Sequence, residues 1–252
     1  MRVLVGVLVP LALVLAWETG AYLPDFPVET MSRPSEIFTA FRFAVTDGSL
    51  LRATGDTLAA TFLGLLVGTA IAVPFGFAVG ASARFDRMTS LLVETLRPVP
   101  AVAIIPLALL VLGFGMAMEA AVVAFSAFWP VMILAQTGMR EIDPRLIEVS
   151  DALGFGIGER FTKFMLPGAM RQLFTALKLG LGVALVVAVT VELAVNPRGL
   201  GYELISSQVA LEPERVFAFL LWIAFVGWAL SALVSLVEAR LFRWDLPQVT
   251  RA

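Results

Sequence analysis

The feature that most constrains this chain is its series of long apolar runs. Six runs long enough to cross a bilayer as helices lie at 3–22, 54–80, 89–112, 118–137, 174–195 and 215–237. Charged residues make up only 15% of the 252 residues, whereas soluble domains carry about 25%. We therefore expect an all-α polytopic membrane protein with six transmembrane helices, forming a single transmembrane domain over residues 1–252.

The composition also excludes several classes of function. The chain has no cysteine and no histidine, which removes disulfides, thiolate or imidazole metal sites and His-based acid–base catalysis. A net charge of −2 does not suggest a nucleic-acid-binding surface. No Gly-rich loop ending in Gly-Lys-Ser or Gly-Lys-Thr is present, so any ATP hydrolysis must come from another chain. We expect no enzymatic activity, no metal and no cofactor in this chain.

The second apolar run has a small residue at every fourth position. These residues are Ala60, Gly64, Gly68, Ala72, Gly76 and Gly80. Small side chains on one face allow a neighbouring helix to approach closely, so we interpret this face as a packing surface rather than a ligand site. Thr54, Thr57 and Thr61 form a hydroxyl stripe in the same run, which either lines a wet path or bonds back to its own helix.

The third run is interrupted by Pro98, Pro100 and Pro106, which cannot all lie in one regular helix. Broken backbone is tolerated in a membrane only where protein or water covers it, so we expect this segment to face the bundle interior. The candidate residues for a translocation path are Thr57, Thr61, Arg97, Pro98, Pro100 and Glu192. Two alternatives stay open, because Arg97 can reach the membrane surface from a helix end and Glu192 can lie at that surface.

A polar segment, predicted at 138–172, separates the fourth and fifth runs. Asp143 and Pro144 favour the start of a short helix, and Gly154 favours its end. Apolar residues at spacings of three and four form one stripe on this helix, and two carboxylates lie beside the stripe. The stripe consists of Leu146, Val149, Leu153 and Ile157, and the carboxylates are Glu148 and Asp151. The positive-inside rule places this segment and both termini in the cytoplasm.

This segment resembles a known signature. Glu148, Gly154 and Phe164-x-Leu166-Pro167 are similar to the EAA signature of permease subunits in bacterial ABC importers. The spacing is kept, with Val149 and Ser150 in place of two alanines and Phe164 in place of an isoleucine. Further segments are similar to the nitrate, sulfonate and taurine branch of these permeases, at 96–100, 105–107, 128–130, 191–193 and 199–202.

The resemblance implies that the helix between spans four and five is a coupling helix, which sits in a groove of a cytoplasmic ATPase. The implied coupling residues are Leu146, Glu148, Val149, Asp151, Leu153, Gly154, Phe164, Leu166 and Pro167. The resemblance also implies a permease homodimer in the bacterial inner membrane, working by alternating access. Its implied partners are two ATPase subunits that hold ATP and Mg, and a periplasmic or lipid-anchored substrate-binding protein. The implied substrate is a small anion or organic acid (sulfonate, taurine, nitrate or an aromatic carboxylate), with a pyrimidine-type vitamin precursor as the alternative.

Three other functions stay open at this point. An ATP-independent secondary transporter or channel would normally need more buried ionisable residues than the sequence offers. An intramembrane enzyme is hard to assemble without histidine, cysteine or an evident pair of intramembrane carboxylates. A structural or assembly factor is the third alternative, and substrate uptake in proteoliposomes would exclude it.

Overall fold

The computed structural model describes residues 2–20 and 31–241, in which every regular element is helical. The prediction of an all-α membrane protein is confirmed. The helices are α1 (Arg2–Gly20), α2 (Pro34–Thr46), α3 (Ser49–Ala81), α4 (Ala83–Leu96), α5 (Ile105–Leu112), α6 (Met116–Arg140), α7 (Pro144–Ala152), α8 (Ile157–Arg160), α9 (Leu166–Ala194), α10 (Leu200–Val209) and α11 (Pro213–Leu241).

Among the described residues, four stretches of helix are long and apolar enough to cross a membrane. They are Ser49–Ala81, Met116–Arg140, Gly158–Ala194 and Pro213–Leu241. A fifth candidate is the pair Ala83–Leu96 and Ala101–Leu112, whose two helices are bent by 86°. The first predicted span coincides with α1, although residues 21–22 lie outside the described residues.

The third predicted span, 89–112, is broken as its prolines predict, although its first helix already begins at Ala83. α4 ends at Leu96, and a short 3-10 turn at Ala101–Ile104 precedes α5. Pro98 and Pro100 lie in this break. Proline has no amide hydrogen, and its ring collides with the preceding helical turn, so a regular helix cannot continue through this pair.

The structure corrects the fifth predicted span and therefore the loop before it. The helix predicted at 174–195 already begins at Gly158 and runs without a break to Ala194. A π-helical turn at Phe161–Met165 ends two residues before Pro167. This wider turn gives room to the proline ring, which would otherwise meet the carbonyl group four residues earlier. The segment outside the long helices is thus much shorter than 138–172.

The chain divides into two compact units, one formed by Met1–Thr57 with Glu192–Val226 and the other by Leu58–Val191 with Gly227–Ala252. Inside the second unit, the small-residue face of α3 packs against α6. A Cβ atom at Gly64 would lie 2.5 Å from the Cβ of Val123, and one at Gly68 would lie 2.7 Å from the carbonyl oxygen of Ala124. The predicted packing face is confirmed, because only glycine permits this approach.

The first unit has its own apolar core. Leu50, Leu200 and Phe219 are almost fully buried and bring α3, α10 and α11 together. The indole N–H of Trp222 donates a hydrogen bond of 2.8 Å to the hydroxyl oxygen of Thr54. This bond gives the indole a partner among apolar neighbours, where an unsatisfied donor would be costly.

Candidate functional site

The short helix α7 begins at a side-chain cap, as the sequence predicts. The backbone N–H of Arg145 donates to the carboxylate of Asp143 at 2.9 Å, and the N–H of Leu146 donates to the Asp143 carbonyl at 2.9 Å. Pro144 occupies the first helical position, where its missing N–H costs nothing. The start of α7 is therefore fixed by local sequence.

The end of α7 is fixed by Gly154, whose φ is +71°. The N–H of Phe155 donates to the carbonyl oxygen of Ser150 at 3.1 Å, a bond that spans six residues and is typical of a glycine-terminated helix. A Cβ atom at Gly154 would meet nothing within 4 Å. Glycine is therefore required by the left-handed backbone conformation and not by a lack of space.

The two faces of α7 have different environments. Ser150 is fully buried, and Ile147 packs into an apolar cluster that contains Met139 and Leu166. A neighbouring face carries three exposed apolar side chains, which we call the α7 stripe. They are Leu146, Val149 and Leu153, with 45%, 50% and 64% of their surface exposed. One face thus anchors the helix, while the other presents apolar surface.

The remaining predicted coupling residues differ in their environments. Glu148 is exposed beside it, whereas the side chain of Asp151 lies outside the described part of the structure. The Phe164 ring packs against Phe155, with ring centroids 5.6 Å apart, directly after the glycine turn. Leu166 is half-buried in the cluster that also holds Ile147, and Pro167 is exposed.

The structure places Thr57 and Thr61 in fully buried positions. The Thr57 hydroxyl donates to the carbonyl oxygen of Ala53 at 3.1 Å and accepts from the N–H of Leu200 at 2.9 Å. Of the two alternatives for the hydroxyl stripe, back-bonding to the helix is therefore confirmed for Thr57. A role in lining a path stays a prediction.

Glu192 is only 1% exposed, so its carboxylate is enclosed by protein. A role in lining the path and a position at the depth of the membrane surface both stay predictions. One oxygen of the Glu192 carboxylate accepts a hydrogen bond of 2.8 Å from the backbone N–H of Gly201, in the first turn of α10. Burial is possible because the carboxylate satisfies a helix N-terminus, where unpaired N–H groups and the helix dipole favour negative charge.

Arg97, Pro98 and Pro100 are exposed in the break between α4 and α5. Within the described chain, α4 has no buried residue. The break is therefore exposed in the single chain, whereas Ile105 and Ala108 in α5 of the same span are buried, and the prediction that this segment faces the bundle interior stays a prediction. The physical reason behind it still holds, because broken backbone in a membrane needs cover.

Sequence reasoning missed Glu119, which is 2% exposed in the first turn of α6. The signal was available, because Glu119 is the only charged residue between Arg97 and Arg140. A lone carboxylate in an apolar run of this length indicates a buried polar position.

Comparison with protein families decides the class of this chain. The family model described as "binding-protein-dependent transport system inner membrane component" matches residues 57–244. The chain belongs to this family. It is therefore a multi-pass inner-membrane permease component of a transport system.

Several relatives of this permease have names that state a substrate. It is 28% identical over 239 residues to the aliphatic sulfonates transport permease protein SsuC of Bacillus subtilis, covering 95% of this chain and 87% of SsuC. It is 28% identical over 198 residues to the taurine transport system permease protein TauC of Escherichia coli, covering 79% of this chain and 72% of TauC. It is 24% identical over 200 residues to the nitrate import permease protein NrtB of Leptolyngbya laminosa, covering 79% and 72%.

Solved structures share the fold of this permease. An inward-facing structure of the MetNI methionine ABC transporter matches with a TM-score of 0.67 and 22% identity, covering 77% of this chain and 94% of the matched chain. An amino acid ABC transporter crystallised with histidines matches with a TM-score of 0.63 and 18% identity, covering 80% and 96%. At these identities the likeness concerns the fold alone.

Proposed function

We propose that this permease is the membrane subunit of an ATP-driven importer, and that α7 is the element on which a separate cytoplasmic ATPase acts. The observation that carries this proposal is the α7 stripe. Leu146, Val149 and Leu153 are exposed on a helix that is capped at both ends and anchored on a neighbouring face. A helix held in this way can receive a force without unwinding.

The size of the stripe suits a partner that docks specifically. Fully burying a Leu or Val side chain contributes about 1.5–3 kcal/mol, and each of the three is about half exposed. Covering the stripe would therefore contribute about 2–4 kcal/mol. Glu148 beside it would add a polar contact that fixes the orientation. This surface would favour a groove lined by apolar and basic side chains.

The partners follow from what this chain lacks. Its sequence has no phosphate-binding loop, so ATP and Mg would be held by the ATPase subunits. A second copy of this permease would cover the exposed break at Arg97, Pro98 and Pro100, and each copy would present one α7 to one ATPase. Both termini and α7 would lie in the cytoplasm, with a substrate-binding protein on the opposite side.

The substrate we propose is a small anion or organic acid. Sulfonate, taurine and nitrate stand in the names of the relatives SsuC, TauC and NrtB, and each carries a negatively charged group. Arg97 is the only positively charged residue between Arg87 and Arg140. Its position in the break of the third span makes it the best candidate for attracting an anion to a path between two copies.

The test is reconstitution with the ATPase and binding protein that are produced with this permease. Proteoliposomes containing the complex should accumulate a labelled sulfonate or carboxylate only when ATP and the binding protein are both supplied. Mass spectrometry of the small molecule bound to the purified binding protein identifies the ligand to use. Uptake without ATP, or by the permease alone, would contradict the proposal.

A further inference from the structure

The end of α9 and the start of α10 are joined through the buried carboxylate of Glu192. Glu192 lies in the last turn of α9, two residues before its last residue, Ala194. Its Oε2 atom accepts from the N–H of Gly201 at 2.8 Å, and the N–H of Leu200 donates to the Thr57 hydroxyl at 2.9 Å. The first two backbone N–H groups of α10 are therefore both bound by buried side chains.

The turn that precedes α10 is shaped to the same carboxylate. Gly199 has a φ of +95°, which favours glycine, and a Cβ atom there would collide with both carboxylate oxygens of Glu192. The backbone at Gly199 thus passes directly against the charged group. This fit holds the segment between α9 and α10 to one position relative to the end of α9.

We propose that Glu192 is a positioning residue of the transport cycle, which makes the start of α10 move together with the end of α9. The inference rests on the proposed function. The helix that contains α9 is unbroken from Gly158 to Ala194, and it starts just beyond the α7 segment. Displacement of this helix by an ATPase at α7 would reach α10 through the Glu192 carboxylate, on the side where substrate enters.

A purely structural cap would behave differently from a positioning residue. If Glu192 only stabilises the fold, its loss lowers the amount of assembled complex, and each complex that remains transports normally. If Glu192 positions α10, the complex assembles and hydrolyses ATP, but fewer substrate molecules cross the membrane for each ATP. The ratio of uptake to ATP hydrolysis therefore separates the two roles.

The experiment compares Glu192→Ala, Glu192→Gln and Glu203→Gln in reconstituted complexes. Glutamine keeps a carbonyl oxygen that can accept from Gly201, so Glu192→Gln should retain most of the coupling. Glu192→Ala should lower uptake per ATP about tenfold or more, since losing a hydrogen bond to a charged group shifts an equilibrium by at least about that factor. Glu203→Gln is the matched control, because this carboxylate of α10 faces Arg215 at 3.6 Å and should leave the ratio unchanged.

An unchanged ratio in Glu192→Ala would overturn the proposal, as would an equal loss in Glu192→Ala and Glu203→Gln. If Glu192→Ala fails to assemble, Thr57→Val is tested in its place. Valine has nearly the shape of threonine but removes the hydroxyl that accepts from the backbone N–H of Leu200. A lower ratio in Thr57→Val would then support the proposal, and a normal ratio would overturn it. Failure of the proposed function is distinct, because the unaltered complex itself would then show no ATP-dependent uptake.

Discussion

Replacing Gly68 by alanine tests the close packing of α3 against α6. The new Cβ atom would lie 2.7 Å from the carbonyl oxygen of Ala124 and 3.2 Å from its Cα, whereas ordinary contact begins near 3.4 Å. Both atoms belong to the backbone, so they cannot rotate away as the end of a side chain can. The two helices must separate by about 0.7 Å at this point, and we expect a loss of about 1–3 kcal/mol in the free energy of unfolding.

Gly55→Ala is the matched control, because Gly55 lies in the same helix and a Cβ atom there would meet nothing within 4 Å. Alanine favours a helix over glycine by up to about 1 kcal/mol, so this variant should be as stable as the parent or more stable. The free energy of unfolding of the parent, Gly68→Ala and Gly55→Ala is measured by tryptophan fluorescence during unfolding in mixed detergent micelles. If Gly68→Ala has the same free energy of unfolding as Gly55→Ala, the close contact between α3 and α6 is refuted.

Three further predictions concern α7. Gly154→Val should abolish most ATP-dependent uptake while the permease stays in the membrane, because a φ of +71° costs a branched residue about 1–2 kcal/mol; wild-type uptake would contradict it. Glu148→Lys should weaken docking of the ATPase on α7 and so raise the ratio of ATP hydrolysis to uptake. This ratio is measured in proteoliposomes, and an unchanged ratio would count against the role of Glu148. Asp143→Ala should destabilise the start of α7 by about 1 kcal/mol, seen as faster hydrogen exchange at Arg145 and Leu146; equal exchange would show that the cap is dispensable.

The helical architecture and the α7 segment could be predicted because their determinants are local. Apolar runs, the small-residue period of α3, the Asp143 cap and the left-handed turn at Gly154 depend on neighbours within one or two turns. The prolines predicted that the third span is broken, although not the angle of 86° at the break. Sequence spacing carries this information without knowledge of the tertiary fold.

The path residues could not be predicted because their environments depend on distant segments. The burial of Glu192 requires the turn at Gly199 and the N-terminus of α10, and that of Thr57 is set in part by Leu200. The exposure of Arg97 depends on how α4 and α5 lie against other helices. Periodicity within one helix does not specify these contacts. The π-helical turn before Pro167 was also missed, because a proline by itself does not indicate whether a helix ends or widens.

The most direct test of the account is the accessibility of the α7 stripe with and without the ATPase. The sequence contains no cysteine, so Val149→Cys provides a single thiol on an exposed part of the stripe. A maleimide that cannot cross the membrane is applied to inside-out vesicles. We expect rapid modification of the permease alone and strong protection once the ATPase is bound. Equal modification rates with and without the ATPase, or modification only from the outer side, would contradict the proposal that a cytoplasmic ATPase binds the α7 stripe.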